Sequence, residues 1–361
     1  MNFQSELIYY KNIINRKLEE FLLSRSSKHD DKLTKYNYRL INDYTRGGKL
    51  LRCIGMIKVY EGLTGKKDLK ILLPSLCTEL FHASSLVHDD IMDEDDVRRN
   101  KPSMHIMWKD WFMKNFKEGT NTGSIFSKQS SRFSTSAAII QGNILFSMGL
   151  LCLTTSKFSN QLRNAALDLV QSAYRRVNEG QLLDIINEYQ YKSDEHNYIK
   201  TAALKTGILF AVSLELGAIF AGGTKKIRKQ IHDFGINIAI AFQIQDDIMD
   251  ISEKFNKGRI LGSDIIKGKM TILMINALKN GSVKQKSYLK KIIGKSSATK
   301  SEINNVVKIF EDTGALKRSN DLADKYVNDG KKNLKNLKGK LSKECYNFFI
   351  QLSDYMTKRI I

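Results

Sequence analysis

Residues 71–92 read ILLPSLCTELFHASSLVHDDIM, and residues 226–250 read KIRKQIHDFGINIAIAFQIQDDIMD. In both stretches apolar residues recur at the three- and four-residue spacing of an amphipathic helix, and both run into acidic residues spaced as DDxxD. A helix with one apolar face is stable when that face is buried. The two stretches therefore predict long helices that belong to an α-helical core.

The same periodicity covers most of the 361-residue chain, and no alternating strand pattern or repeat of solenoid length interrupts it. A hydrophobic content of 42% excludes overall disorder, and two prolines in the whole chain argue against a turn-rich β fold. We predict an all-α fold in a single domain spanning residues 1–361. Clear helices are expected at residues 5–23, 71–92, 160–191, 200–221, 226–250, 268–279, 301–313 and 317–358.

Residues 109–136 differ, because their second half is rich in Ser and Thr and has little helical period. We interpret this segment as an inserted, flexible surface loop. Its aromatic side chains would alternatively touch a partner or a membrane surface.

The charge balance is strongly basic, with 58 Lys and Arg against 38 Asp and Glu and a net charge of +20. Such an excess fits either a nucleic-acid or anionic-membrane partner, or anionic small substrates together with a lysine-rich surface. No zinc-finger, RNP or basic-zipper pattern accompanies the lysines, so we expect no nucleic-acid partner.

The four cysteines are widely spaced in apolar stretches and form no metal-ligand pattern, so we expect free buried thiols in a reducing compartment.

Residues 1–23 mix acids and bases in an amphipathic pattern, unlike a secretory signal or a transit peptide. The stretch 206–223 contains Glu215 and reads as a core helix, so no transmembrane segment is expected. We therefore predict a cytoplasmic protein, or a mitochondrial or other organellar one if the N-terminus is incomplete.

The first acidic cluster, residues 88–96, reads HDDIMDEDD. Asp89 and Asp93 are four residues apart and share one helix face, with Asp90 beside them. Stacked like charges weaken a helix unless something offsets them, and Mg²⁺ bound by carboxylates and substrate phosphate does so. The alternative is a solvated acidic helix end.

The second cluster favours the metal interpretation. Asp246, Asp247 and Asp250 repeat the spacing among apolar residues, where unpaired acids are costly. Two such helices facing each other across a cavity would hold several Mg²⁺ ions that clamp a diphosphate. Basic residues suited to phosphate are found at Lys49, Arg52, Arg98, Arg99, Lys205, Lys267 and Lys269.

These residues resemble the motifs of the trans-isoprenyl diphosphate synthases, also called polyprenyl synthetases, over most of the chain from Gly47 onward. Both aspartate-rich motifs, in order and with basic motifs around them, make the resemblance specific. The matching segments are GGKLLR (47–52), ELFHASSLVHDDIMDEDDVRR (79–99), EGQLLD (179–184), LKT (204–206), FQIQDDIMD (242–250) and GSDIIKGKMT (262–271).

The resemblance implies one polyprenyl synthetase domain, a helical bundle of the isoprenoid-synthase type around a deep central cavity, and a homodimer. It also implies an Mg²⁺-dependent prenyltransferase that condenses isopentenyl diphosphate head-to-tail with an allylic diphosphate primer to give an all-trans polyprenyl diphosphate. Contact with a membrane surface is a further expectation, since the product is a lipid.

The family's site residues map onto matching positions. The resemblance implies metal ligands at Asp89, Asp90, Asp93, Asp246, Asp247 and Asp250, with the innermost contacts from Asp89, Asp93 and Asp246. It implies allylic diphosphate contacts from Arg98, Lys205 and Lys269, and isopentenyl diphosphate contacts from Lys49, Arg52, His82 and Arg99. Gln243 and Thr206 are expected near the reacting carbon. The chain departs from the family pattern at Cys53, Asn100 and Asn143, where Pro, Gly and Asp are usual.

Product length is predicted from the residues that precede the first DDxxD. Bulky side chains there stop elongation early in this family, whereas this chain has Ser84 and Ser85. We expect a product longer than C15, with C20 geranylgeranyl diphosphate as the best match, and Phe146 and Met148 as a deeper floor. The alternatives are a longer-chain synthase, a terpene cyclase and a non-catalytic subunit.

Overall fold

A computed structural model of the chain describes residues 2–28, 30–190, 193–252 and 261–357. The chain divides into two compact units, which are described separately below. The first comprises Met1–Asp168 with Ile219–Gly222, and the second comprises Leu169–Ala218 with Gly223–Ile361.

The first unit is built on two long helices that pack along each other. Phe81 of one helix lies against Gly149 of the other, at a point where a Cβ atom would come within 2.7 Å of the ring. The elements are α1 (Phe3–Ser26), α2 (Lys32–Thr45), α3 (Leu51–Thr64), a 3₁₀ turn (Leu69–Ile71), α4 (Leu72–Met92), β1 (Val97–Arg98), β2 (Lys101–Pro102), α5 (Met104–Asn115) and α6 (Gln129–Thr154); α4 and α6 are the packed pair.

A buried charge cluster fastens α1 to α3. The ammonium group of Lys58, 2% exposed, lies 2.6 Å from Glu6 and 3.6 Å from Glu61. The hydroxyl of Tyr10 donates to Glu61 over 2.5 Å. Removing one member of such a group leaves the remaining charge buried without compensation, so the cluster ties the first helix to the core.

The second unit is assembled around α10, which packs along α15 and has a core of Ile, Phe and Ala side chains. Thr224 caps the start of α10 by accepting a hydrogen bond from the backbone of Ile227. The elements are α7 (Asn160–Gln190, which begins in the first unit), α8 (Glu195–Ala202), a π-helical turn (Ala203–Gly207), α9 (Ile208–Phe220), α10 (Lys225–Asp250), α11 (Ser263–Ile266), α12 (Ile272–Asn280), α13 (Val283–Ile292), α14 (Lys300–Asp312), α15 (Ala315–Lys335) and α16 (Lys343–Thr357).

The all-α prediction is confirmed, apart from one two-stranded hairpin and some shifted helix boundaries. The predicted helix 317–358 is wrong as a single helix, because it breaks between α15 and α16, where Gly339 adopts a φ of 81°. The predicted helix 268–279 begins only at Ile272. The hairpin of β1 and β2 is not predicted from the sequence, since two-residue strands carry no alternating pattern. Residues 191 and 358 of the predicted helices lie outside the described residues.

The segment 109–136 contains less irregular structure than its composition indicates. Helix α5 continues to Asn115 and α6 begins at Gln129, so only residues 116–128 are irregular. Aromatic rings draw the two helices together: the ring of Phe133 lies 6.0 Å from Trp108, 5.5 Å from Trp111 and 5.3 Å from Phe112 between centroids. Tertiary packing of these rings stabilises helix where Ser and Thr obscure the period.

Two helical stretches are long and apolar enough to cross a membrane by length and composition, Gln129–Thr154 and Glu195–Phe220. Of the residues in their most apolar windows, 44% and 72% respectively are buried within the protein. As expected, the cysteines are buried free thiols, at Cys53, Cys77, Cys152 and Cys345.

Candidate active site

The first acidic motif forms the end of α4. The backbone N–H of Asp93 donates to the carbonyl of Asp89 over 2.8 Å, so these two residues stand one helical turn apart. Both are half-buried, whereas Asp90 between them is 0% exposed. The motif therefore leaves two carboxylates partly exposed and buries the third.

The buried carboxylate of Asp90 is held by two side chains from other elements. The hydroxyl of Tyr44 on α2 donates to it over 2.8 Å, and the Nε of Arg98 donates to it over 2.6 Å. Burial raises the pKa of Asp90, and the guanidinium of Arg98 opposes that rise. The structure thus gives Asp90 protein partners, so its predicted metal contact competes with Tyr44 and Arg98.

Arg98 is positioned by the short hairpin that follows α4. Its guanidinium also lies 3.5 Å from Asp89 and 3.6 Å from Asp95. The two residues of the turn, Arg99 and Asn100, have φ values of 55° and 60°, as a tight hairpin of this hand requires. Asn tolerates that conformation better than most residues, which explains how Asn100 replaces the family's usual Gly.

A basic cluster lies beside α4 in the same unit. The carboxylate of Glu79, 2% exposed, is 3.8 Å from the guanidinium of Arg99, and its charge also acts on Arg52. Among the described residues no hydrogen-bond partner reaches the buried Nε of Arg52. A Cβ atom on Gly48 would come within 3.1 Å of Arg99 and Glu79, so the Gly47–Gly48 pair leaves room for this cluster.

His82 belongs to the same cluster. Desolvation, followed by the charges of Arg52, Arg99 and Arg98, lowers its pKa well below the usual range. The ring is therefore neutral at physiological pH and is surrounded by cations that attract an anion. Lys49 is exposed just before α3 and is followed by Leu50, whose φ of 54° is unusual for leucine.

The second acidic motif forms the end of α10 in the second unit. Asp247 is 4% exposed and accepts hydrogen bonds from the Tyr198 hydroxyl over 2.7 Å and from the Gln243 amide over 3.1 Å. The hydroxyl of Thr206 donates in turn to the carbonyl oxygen of Gln243 over 2.9 Å. Asp246 and Asp250 are half-buried on either side.

Lys205 and Thr206 lie in the π-helical turn Ala203–Gly207, which interrupts the helix between α8 and α9. Such one-turn widenings change the direction of side chains and are frequent at functional sites. The ammonium of Lys205 lies 2.7 Å from Asp184, and that of Lys269 lies 3.7 Å from both Asp184 and Glu188. The two lysines predicted to bind the allylic diphosphate are thus brought together by carboxylates of α7.

A cavity of about 140 Å³ joins these groups. Asp264 stands in its wall, where desolvation, followed by the charge of Asp250, raises the pKa of its carboxyl to about 7. Asp250 itself accepts hydrogen bonds from the Ser263 hydroxyl and the Asp264 backbone. The lining residues are Asp184, Asn187, Tyr198, Thr201, Ala202, Lys205, Thr206, Gln243, Asp247, Asp264, Lys269, Met270 and Thr271.

The half-buried aspartates of the two motifs suit one kind of metal site. No three His, Cys, Asp or Glu side chains converge to hold an ion in the described parts of the chain. Mg²⁺ in phosphate-transfer sites, however, uses one or two carboxylates and takes its remaining ligands from water and substrate phosphate. The paired carboxylates one turn apart at Asp89 and Asp93, and at Asp246 and Asp250, fit that pattern.

The structure therefore groups the predicted site residues into two sets, one in each unit. Lys49, Arg52, His82 and the first aspartates belong to one set, and Lys205, Thr206, Gln243 and Lys269 belong to the other. Several charged or phenolic groups of these sets have no role predicted from the sequence. They are Tyr44, Glu79, Asp184, Glu188, Tyr198 and Asp264.

Two of these groups, Asp184 and Glu188, can be predicted from the sequence. Asp184 closes the EGQLLD motif, and Glu188 follows it by one helical turn, so an acidic face on α7 is predictable. The roles of Tyr44 and Tyr198 are not predictable in this way, because each lies 46 or more residues from the aspartate it contacts.

Comparison with known proteins identifies the family. The sequence pattern of the family described as polyprenyl synthetase matches residues 34–310. The geranylgeranyl diphosphate synthase of Methanosarcina mazei is 30% identical over 87% of this chain and 86% of its own length.

Solved structures give the same fold. The geranylgeranyl pyrophosphate synthetase of Pyrococcus horikoshii Ot3 superimposes with a TM-score of 0.83 at 25% identity, covering 99% of this chain and all of that one. A geranylgeranyl pyrophosphate synthase of Corynebacterium glutamicum, solved with isoprenyl diphosphate and magnesium, covers 97% of this chain and 98% of its own with a TM-score of 0.87 at 23% identity. This chain belongs to the polyprenyl synthetase family and is a prenyltransferase.

Proposed function

We propose that the enzyme condenses isopentenyl diphosphate head-to-tail with an allylic diphosphate primer and requires Mg²⁺. The observation that carries the proposal is the pair of DDIMD helix ends, in each of which one aspartate is fixed by a tyrosine and two others stand one turn apart. Carboxylates arranged in this way suit Mg²⁺ that also binds diphosphate oxygens.

The difficult step is the departure of the diphosphate. The C–O bond of the allylic substrate breaks, and its electron pair leaves with the diphosphate. The double bond of isopentenyl diphosphate then forms the new C–C bond to the allylic carbon, and a proton is lost to the released diphosphate. Bound Mg²⁺ would stabilise the departing negative charge together with the fixed side-chain cations. No side chain is then required as general base.

On the allylic side, Lys205 and Lys269 of the second unit would hold the diphosphate. Each of these cations contacts carboxylates of the protein, as Lys205 does with Asp184 over 2.7 Å. Such ion pairs keep the cations in place and balanced until an incoming diphosphate replaces the carboxylate as their partner. Thr206 and Gln243 would orient the reacting end of the substrate.

On the isopentenyl side, Lys49, Arg52, Arg99 and the neutral ring of His82 would bind the diphosphate. The buried Glu79 keeps two arginines close together despite their like charge. Binding of a diphosphate would supply a hydrogen-bond partner for the buried Nε of Arg52.

The test is an incubation of the purified protein with isopentenyl diphosphate and dimethylallyl, geranyl or farnesyl diphosphate, with Mg²⁺ present or chelated. We expect Mg²⁺-dependent elongation, and a loss of at least about a thousandfold for Asp89→Asn and Asp246→Asn. Asp96→Asn and Asp233→Asn, acids of the same two segments that lie outside the five-residue DDIMD stretches, serve as controls. Folded protein that elongates no primer would overturn the proposal in favour of a cyclase or a non-catalytic subunit.

We propose C20 as the product length. Ser84 is buried, and its hydroxyl donates to the carbonyl of Gly142 on α6, so Ser85 is the more accessible of the two small residues. The ring of Phe146 packs on Phe81 at 5.1 Å between centroids, which suits the proposed floor. Two relatives agree in part, since they are named geranylgeranyl and geranylfarnesyl diphosphate synthase.

Mass spectrometry of the dephosphorylated products tests the length. Ser85→Phe is expected to shorten the product and Phe146→Ala to lengthen it, while Ser85→Ala leaves it unchanged. An unchanged product length in both of the first two variants would contradict this account of the pocket.

We propose that the enzyme acts as a homodimer. The support is a pair of adjacent exposed apolar residues on α6, Ile139 and Ile140, which are 44% and 59% exposed. Light scattering of the wild type and of Ile140→Lys tests this, and a monomeric wild type would refute it.

A further inference from the structure

The chain's basic excess is concentrated in one stretch. Residues 265–301 contain nine lysines and no Asp or Glu, although 38 acids in 361 residues would place about four in a stretch of that length. Two of these lysines, Lys267 and Lys269, follow the second acidic motif. The remaining seven lie from Lys279 onward, on α13 and the segments beside it.

Helix α13 has one buried and one cationic side. Leu289 and Ile292 are fully buried. At 100° per residue, Lys284, Lys286, Lys290 and Lys291 occupy an arc of about 160° on the opposite side. That side also carries Val283, which is 87% exposed, so an apolar side chain lies within a rim of lysines.

The lysines of α13 lack acidic partners among the described residues, in contrast to those of α15. There, Lys331 and Lys332 pair with Asp354 and Asp329 over 2.8 Å each. Beyond the end of α13, Lys295 pairs with Glu302 over 2.6 Å. The α13 surface therefore keeps its positive potential, whereas the α15 surface is partly neutralised.

A groove of about 620 Å³ runs beside this surface. Lys279, Lys286 and Lys290 line one side of it, and Met270, Ile275 and Leu278 supply apolar lining. Asp194 and Glu195 line it as well, so its own charge is nearly balanced. Lys286 and Lys290 thus belong to both the groove and the arc of α13, whereas Lys284 and Lys291 lie on the arc alone and carry its excess positive charge.

We propose that α13 and the end of α12 form a surface by which the enzyme docks on an anionic lipid bilayer. Lysines near such a bilayer gain favourable energy from its negative potential, and an exposed apolar residue among them enters the interface. The choice of lipid over nucleic acid rests on the proposed function, because its product is a lipid. It also rests on the scarcity of aromatic residues for base stacking, because Tyr288, the one aromatic residue of α13, is half-buried.

The experiment is co-sedimentation of the full chain with vesicles of phosphatidylcholine, alone or with about 30% phosphatidylserine. We expect binding to the anionic vesicles only, and its loss at high salt. Because each lysine contributes about fivefold to such binding, replacing Lys284, Lys286, Lys290 and Lys291 by Gln should weaken it at least about fiftyfold.

The matched control replaces Lys32, Lys35, Lys66 and Lys67 by Gln. It removes the same charge from exposed positions near Asp31 and Asp68 and should retain binding within about threefold. Equal losses in both variants, or no binding of the wild type to anionic vesicles, would overturn the proposal. Tighter binding to an RNA homopolymer at the same salt, lost in the α13 variant, would also overturn it.

Vesicle binding does not depend on catalysis, so it separates this proposal from the proposed function. Prenyl transfer by the α13 variant in solution should equal that of the wild type, since these lysines lie outside the site. A protein that binds vesicles but elongates no primer would overturn the function and the reason for choosing lipid, while leaving the anionic docking surface in place.

Discussion

The two acidic motifs have the same five letters, DDIMD, and each ends a long helix, yet they are stabilised by different means. In both, the second aspartate is buried and accepts a hydrogen bond from a tyrosine, over 2.8 Å at Asp90 and 2.7 Å at Asp247. Asp90 also has the guanidinium of Arg98 as a counterion. Asp247 has the neutral amide of Gln243, and no Lys or Arg of the described chain forms an ion pair with it.

The difference shows that the same local sequence can be stabilised either by a counterion or by neutral hydrogen-bond donors. At Asp90, the cation offsets much of the cost of burying the carboxylate. At Asp247, desolvation raises the pKa of the carboxyl well above its usual range, and the Asp264 charge adds to the rise. We infer that the second motif depends more on an added cation than the first does. Four predictions test this comparison.

The largest effect is expected for Arg98→Gln. It leaves the fully buried carboxylate of Asp90 without its counterion, so the free energy of unfolding should fall by about 3 kcal/mol. Urea denaturation measures this, with Lys101→Gln on the same hairpin as the control. A loss no greater than the control's would show that Asp90 does not need the cation.

The two tyrosines provide the next test. Tyr198→Phe should cost about 2 kcal/mol, because the neutral amide of Gln243 is then the side-chain donor that remains to Asp247 in the described structure. Tyr44→Phe should cost about 1 kcal/mol, because Arg98 still holds Asp90. Both are measured by urea denaturation at pH 7.5. The reverse order would contradict the comparison.

The third test uses the dependence of stability on pH, to which His82 of the first unit should contribute. Its pKa is lowered in the folded state, so below about pH 6.5 the unfolded chain binds the extra proton and stability falls with pH. Between pH 7.5 and 5.5 this group should cost the wild type about 1.4 kcal/mol, and His82→Gln should abolish that part of the loss. Thermal or urea unfolding at both pH values measures it. His196→Gln, at an exposed position, should keep the full loss.

The smallest effect is expected for Thr206→Val, which removes the hydroxyl that donates to Gln243. Stability should fall by about 0.5 to 1 kcal/mol, and Thr206→Ser should restore it. Prenyl transfer should decline with the first variant and recover with the second, because Gln243 loses and regains its orientation. Equal stability and equal prenyl transfer in both variants would show that the Thr206 hydroxyl does not orient Gln243.

Much of the site can be predicted from the sequence, because the outer aspartates of each motif are spaced by one helical turn and their shared face follows from local geometry. The partners of Asp90 and Asp247 cannot be predicted in this way, since Tyr44 and Tyr198 come from separate helices. Glu79 in ELFHASS is a further example, because its contact with Arg99 cannot be predicted from the residues that surround it in the sequence.

The sequence by itself determined the helical class, the two acidic helix ends and the order of the basic motifs, because helical periodicity and four-residue spacing are local properties of the chain. Only the tertiary structure decided which aspartate of each motif is buried, which cations are brought together by Asp184, and where the widened turn places Lys205 and Thr206. Burial and charge depend on which distant residues pack around a group, and that packing is a property of the whole fold.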